Sequence, residues 1–114
     1  VLFGRRRRIM VLGMMQDKDI AAMLNILTAD AYATIVCKPD MLRSAVKAHF
    51  ENHIVFSAKK RVWWQEDSGS ALTHALQLAE PNDVICVAGS LFLAAEIRDL
   101  YQGKKNTVAG RVGM

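Results

Sequence analysis

Asp17-Lys18-Asp19 and Gly89-Ser90 are the residues whose types and spacing best suit ligand chemistry. A carboxylate at the tip of a parallel strand can accept two hydrogen bonds from ribose hydroxyls. The same carboxylate can cap a helix and complement its positive end. One of Asp17 and Asp19 is expected to act as that cap. The backbone N–H groups that follow Gly89-Ser90 can hold a carboxylate or a phosphate. The plainer role of Ser90 is to cap the helix that opens there.

Other constellations are absent or weak. No G-x-x-x-x-G-K-[ST] run is present, so a triphosphate cannot be cradled in the P-loop manner. No G-x-G-x-x-G follows the first strand. Gly89-Ser90-Leu91 lacks the flanking G-x-S-x-G pattern of a nucleophile elbow. His49 and His53 stand four apart, but His53 is expected past the helix end and no third ligand is near. His74 falls on a later helix and reads as structural.

The two junctions need elements to position them. Ile9 to Leu12 is an apolar run that suits a strand covered on both faces. Gly13 ends it, and Ile20, Met23, Leu24 and Leu27 recur at helical spacing through about Ala29. Ala33 to Cys37 reads as the second strand. Pro39 breaks the path, and Asp40 is expected to cap a helix with Leu42, Ala45, Val46 and Phe50 as its apolar positions. Ile54-Val55-Phe56 and Val62-Trp63-Trp64 form either a local hairpin or a single strand from the second run. Ser68 or Ser70 should cap a helix carrying Leu72, Ala75, Leu76 and Leu78. Pro81-Asn82-Asp83 is a turn. Val84 to Ala88 is a second fully apolar strand, and Leu93, Ala94, Ile97 and Leu100 or Tyr101 face the core from the last helix. Strands alternating with helices imply right-handed crossovers and a Rossmann-like α/β three-layer sandwich with a mostly parallel sheet. The domain is expected over 1–103, with 104–114 an aperiodic, poorly ordered or tag-like tail.

Length and composition agree. The 114 residues fit one domain, and 52% hydrophobic content is enough for a core. Apolar stretches are too short to span a bilayer, and no signal peptide opens the chain. Cys37 and Cys86 read as free thiols in a reducing cytoplasm. The net charge of +4 comes mostly from Arg5-Arg6-Arg7-Arg8. That run reads as a solvated lead-in to the first strand. A nucleic-acid role is disfavoured because alternating strand positions point to opposite faces.

At the two junctions the chain resembles a known family. Gly13-Met14-Met15-Gln16-Asp17-Lys18-Asp19-Ile20-Ala21, together with Ala88-Gly89-Ser90-Leu91-Phe92-Leu93-Ala94-Ala95-Glu96-Ile97-Arg98, is similar to the C-terminal domain of bacterial folylpolyglutamate synthase/dihydrofolate synthase, in the Mur ligase superfamily. Glu66-Asp67 and the Ser70-Ala71-Leu72…Ala75-Leu76 helix extend the likeness. The resemblance implies ATP-dependent amide formation: a folate or dihydropteroate carboxylate is phosphorylated, and glutamate's amine attacks the acyl phosphate. It implies a partner as well, an N-terminal P-loop domain that holds most of the magnesium and folate contacts. Carried over by residue, Asp17 contacts ATP, Lys18 is its phosphate-side neighbour, and Ser90 serves the glutamate side and domain closure. The family's P-R-A segment corresponds to Lys38-Pro39-Asp40-Met41-Leu42-Arg43-Ser44, so Arg43 is the substitute for recognising the amino acid. The family's H-N-P stretch has no match, and the first strand of the family's sheet is expected to be missing. The resemblance therefore implies a lid domain with no turnover alone. The competing reading is a non-catalytic Rossmann-like binding or scaffolding module that has lost the site.

Overall fold

The computed structural model describes residues 6–104 and 111–113. Its elements run β1 (Arg8–Leu12), α1 (Ile20–Leu27), β2 (Ala33–Cys37), α2 (Lys47–Glu51), β3 (Val62–Gln65), α3 (Ser68–Leu78), β4 (Val84–Ala88), α4 (Leu91–Lys104) and β5 (Arg111–Gly113). A short 3-10 turn, Ala58–Lys60, precedes β3. The sheet has the order β3-β2-β1-β4-β5, and every pairing is parallel.

The alternation of side chains along β1 divides the core in two. Ile9 and Val11 join Ile35, Ile85, Ala71, Leu72, Ala75, Leu93 and Ile97 on the face covered by α3 and α4. Met10 and Leu12 join Val36, Ile20, Leu24 and Phe50 on the face covered by α1 and α2. This is the three-layer arrangement expected from the uninterrupted apolar strands. Full burial of each Val, Leu, Ile, Met or Phe among them contributes about 1.5–3 kcal/mol, and β1 places such side chains in both halves of the core.

The chain leaves β1 in one direction to build β2 and β3, then returns to place β4 on the other side of β1. The strand order therefore reverses between β1 and β4. At such a switch point the loops at the carboxyl ends diverge and leave a crevice.

The structure corrects the expected start of α2 and the expected cap of α3, and decides between the alternatives left open for 54–65. The helix expected from Asp40 is only the short α2, which starts after Val46. Leu42 is 97% exposed, whereas Ala45 and Phe50 are buried. The cause is competition: residues 39–45 are pinned to the first rim loop and cannot wind into a helix. Asp67, rather than Ser68 or Ser70, caps α3 by accepting the Ser70 N–H at 2.7 Å. Of the two strand candidates between 54 and 65, only Val62–Gln65 joins the sheet, and Ser57 makes an isolated antiparallel bridge to Val62. Much of the stretch 104–114 lies outside the described residues, but Arg111–Gly113 pairs with β4 as an edge strand.

Arg5 also lies outside the described residues. Arg7 is not a solvated lead-in. Its Nε and Nη2 donate to Asp83 Oδ1 and Oδ2 at 3.0 and 2.6 Å, and its guanidinium stacks 3.9 Å from the Tyr32 ring centroid. Arg61 approaches the same ring at 4.2 Å. Both cysteines are free, and burial pushes the Cys37 thiol up to about 12. Burial also raises Cys86. Among the described residues no helix is long and apolar enough to cross a membrane.

Candidate functional site

The rim at the carboxyl ends of β1 and β4 is assembled by close backbone approach. Leu12 and Ala88 are register partners, and the Gly13 N–H donates to the Ala88 carbonyl at 3.4 Å. Gly89 has φ of +99°, and a Cβ there would meet the Gly13 carbonyl oxygen at 2.5 Å. Only glycine fits both the left-handed turn and the contact. A Cβ on Gly13 would meet Pro39 Cδ at 2.9 Å and Leu93 Cδ2 at 3.0 Å. The loops after β1, β2 and β4 thus converge on one point.

Asp19 is the α1 cap: it accepts the Ala22 N–H at 3.1 Å. That leaves Asp17 exposed, with no hydrogen bond or ion pair among the described residues. Ser90 caps α4, with Oγ accepting the Phe92 and Leu93 N–H groups at 3.1 and 3.3 Å. A hydroxyl that accepts twice still has its own hydrogen to donate outward. Capping and ligand contact are therefore compatible at Ser90.

Lys18 and Ser90 line a common groove of about 520 Å³ with Met15, Met23, Val87 and Phe92. Its wall is mostly apolar, and Phe92 and Leu91 are 50% and 89% exposed. A concave apolar wall with a few polar groups on its edge is the usual form of a small-molecule site. Asp17 stands next to this groove in sequence but is not one of its lining residues. Arg43 is not one either. Its side chain is exposed, and its carbonyl accepts the Gln16 N–H at 2.8 Å, which ties the Arg43 segment to the Asp17 loop. The structure therefore brings Lys18 and Ser90 together on one groove, and sets Asp17 and Arg43 on the loops beside it.

The histidines take structural positions. His49 Nδ1 accepts the Val46 N–H at 3.0 Å at the start of α2. His53 follows the end of α2 and is exposed. His74 sits against Trp63 and Gln65, with Gln65 Nε2 3.0 Å from its Nδ1. Burial lowers its pKa, which favours the neutral ring. Among the described residues no group of three or more His, Cys, Asp and Glu gathers in a way that could hold a metal ion.

Sequence reasoning missed the apolar wall and one carboxylate. Met15, Met23 and Phe92 are unremarkable as residue types, and only their meeting across the switch point gives them a role. Glu96 did carry a signal. It lies three residues after Leu93 and next to Ile97, both fully buried, so a charge interrupts the apolar face of α4.

Residues 2–91 match the family described as Mur ligase, glutamate ligase domain. A folylpolyglutamate synthase of Lacticaseibacillus casei is 32% identical over 98 residues, covering 84% of this chain and 21% of that protein. The bifunctional folylpolyglutamate synthase/dihydrofolate synthase of Yersinia pestis, solved with AMPPNP and a Mn ion, superposes with a TM-score of 0.75 at 25% identity. That match covers 89% of this chain and 23% of the other. The folylpolyglutamate synthase of Mycobacterium tuberculosis, complexed with ADP and AMPPCP, gives a TM-score of 0.70 at 25% identity over 84% of this chain and 24% of its own. The chain spans less than a quarter of the length of these relatives.

Proposed function

The chain belongs to the Mur ligase glutamate ligase domain family, and from that membership we propose that it is the closing domain of an ATP-dependent folate–glutamate amide ligase. The observation that supports this reading is the shared rim: the Asp17-Lys18 loop and the Ser90 turn leave adjacent strands at the switch point and flank one groove. Relatives of this fold are solved with ATP analogues, which makes a nucleotide the natural occupant.

In the proposed reaction the terminal phosphoryl group of ATP passes to a carboxylate oxygen of the folate as its bond to the bridging oxygen breaks and ADP leaves. The glutamate amine then attacks the acyl carbon and sheds a proton, the C–N bond forms, and phosphate leaves with the C–O electron pair. This chain's share is binding and positioning. Asp17, left free by the Asp19 cap, accepts hydrogen bonds from ribose hydroxyls. Lys18 offers its ammonium group to phosphate oxygens from the groove edge. Ser90 donates its remaining hydrogen to a carboxylate, and the amides at the start of α4 favour negative charge. Arg43, exposed on the neighbouring loop, suits a glutamate carboxylate because a guanidinium binds one in bidentate fashion. Closure of this rim over a P-loop domain excludes water from the acyl phosphate and aligns the amine.

Titration of the ¹⁵N-labelled chain with millimolar Mg-ATP tests the assignment. Amide shifts are expected over residues 13–19 and 89–94, and Asp17→Ala is expected to weaken them severalfold. Shifts confined to the groove between Gln65 and Gln77, or identical in Asp17→Ala, would contradict it.

A further inference from the structure

We propose that Glu96 is a positioning residue: by accepting the Asp40 N–H it locks the 39–45 strap to α4, so that Arg43 and Ser90 keep a fixed separation across the rim. The functional weight of that separation rests on the reading of Arg43 and Ser90 as substrate-facing groups.

The strap connects β2 to α2 without regular structure, and such a segment moves unless it is tied down. Its ties fall into two groups. One group joins it to the first rim loop. The Ala45 N–H donates to the Met14 carbonyl at 2.8 Å, the Gln16 N–H donates to the Arg43 carbonyl at 2.8 Å, and Met15 and Ser44 form an antiparallel bridge. The Gln16 side-chain amide adds a bond to the Ser44 carbonyl at 3.3 Å. Internally, the buried Ser44 hydroxyl donates to the Pro39 carbonyl at 2.6 Å. None of these bonds reaches α4.

The second group is Glu96 alone. Among the described residues, the hydrogen bond that joins the strap to α4 is Asp40 N–H to Glu96 Oε2, at 2.9 Å. A charged acceptor makes this stronger than a neutral bond of the same length. Among the described residues Glu96 Oε1 is buried without a hydrogen-bond partner, so the side chain is anchored through its other oxygen. Glu96 lies six residues beyond Ser90, about 9 Å along a helix axis. One rigid helix therefore carries both the Ser90 cap and the clamp on the loop that presents Arg43. Without the clamp, the Asp17 and Arg43 loops stay joined to each other and to the Gly13–Ala88 contact, but the Asp40 end of the strap loses its hydrogen bond to α4.

Hydrogen exchange of the ligand-free chain tests this without any assumption about nucleotide. Glu96→Met keeps the side-chain bulk and removes the acceptor, whereas Glu96→Gln keeps a carbonyl oxygen at the same reach. In Glu96→Met the Asp40 amide is expected to exchange about tenfold faster or more. Amides of β1 and β4 should be unchanged, and Glu96→Gln, which keeps an acceptor without the charge, should stay closer to wild type than Glu96→Met does. A packing role alone would spare the Asp40 amide in Glu96→Met, or would speed exchange throughout the sheet, and either result overturns the proposal. Unchanged Asp40 exchange sinks it even if ATP binds at the rim. An ATP titration with shifts identical in Asp17→Ala, together with faster Asp40 exchange in Glu96→Met, leaves the clamp standing and removes only the ligase reading.

Discussion

Gly89→Ala is expected to cost about 3 kcal/mol of stability and to lower Tm by more than about 10 °C. Two penalties combine. The residue sits at φ of +99°, where an L side chain is strained, and its Cβ would lie 2.5 Å from the Gly13 carbonyl oxygen. The obstructing atom is backbone on the central strand's exit, so it cannot rotate away as a side chain would. Relief requires the β1 and β4 loops to separate, and that same movement opens the groove between Lys18 and Ser90. Gly103→Ala supplies the matched control. Its Cβ would meet nothing within 4 Å, and it lies in α4, so stability should be unchanged or slightly raised. Thermal melts of the two variants check the claim. Equal Tm values would mean that the rim does not depend on this backbone contact.

Asp83→Ala has the second large expected effect, at the opposite end of the same two strands. Asp83 is buried and accepts two bonds from Arg7, just before β1, and one from the Glu80 N–H at 2.9 Å. Removing it strands a guanidinium whose side chain is one-third exposed, at 33%, so water offsets part of the loss. About 2 kcal/mol remains, in the range of a charge-assisted hydrogen bond. The Arg7 contact first, and then the Glu80 amide, hold the Asp83 carboxyl below its ordinary value of 3.8, while desolvation opposes them. A depressed folded-state pKa means that the unfolded chain binds the proton first. The stabilisation is therefore complete above the ordinary value and is lost as pH falls through the folded value. Urea midpoints should differ clearly between wild type and Asp83→Ala at neutral pH and converge in acid. His74 adds to the slope in the same direction at higher pH. Its lowered pKa gives stability that is full above its ordinary value of 6.5 and declines as pH drops below it. Identical urea midpoints at neutral pH would show the Arg7–Asp83 pair to be energetically idle.

The parts of this fold that could be read from sequence are those where one physical rule dominates. β1, β2 and β4 are buried on both faces, so their apolar runs mark them almost to the residue. Gly13 and Gly89 mark the junctions because glycine tolerates close approach. The choice between Asp17 and Asp19 could not be made, since both are placed to cap and only coordinates assign the bond to Asp19. The 39–45 strap was illegible for another reason. Leu42, Ala45, Val46 and Phe50 have helical spacing, yet Ser44 and Ala45 are pulled into tertiary bonds with Met14 and Met15, which override the local preference. Arg7 was misread because its partner stands 76 residues away. Along the groove, Lys18 and Ser90 stood out in the sequence as polar residues at the two junctions, whereas the apolar wall did not, because Met15, Met23 and Phe92 gain meaning only where β1 and β4 diverge.

The most direct test of the account grafts this chain into a relative. In a folylpolyglutamate synthase, the segment matched by this chain is replaced with residues 1–103, and glutamate addition to a folate is followed along with ADP release. The chain alone, given ATP, folate and glutamate, is expected to consume no ATP. The graft should restore ATP-dependent glutamate addition, and Asp17→Ala within it should lower turnover by about a hundredfold, the scale of a misplaced reactant. A folded graft that adds no glutamate, or one indifferent to Asp17→Ala, would contradict the claim that this rim closes on the nucleotide.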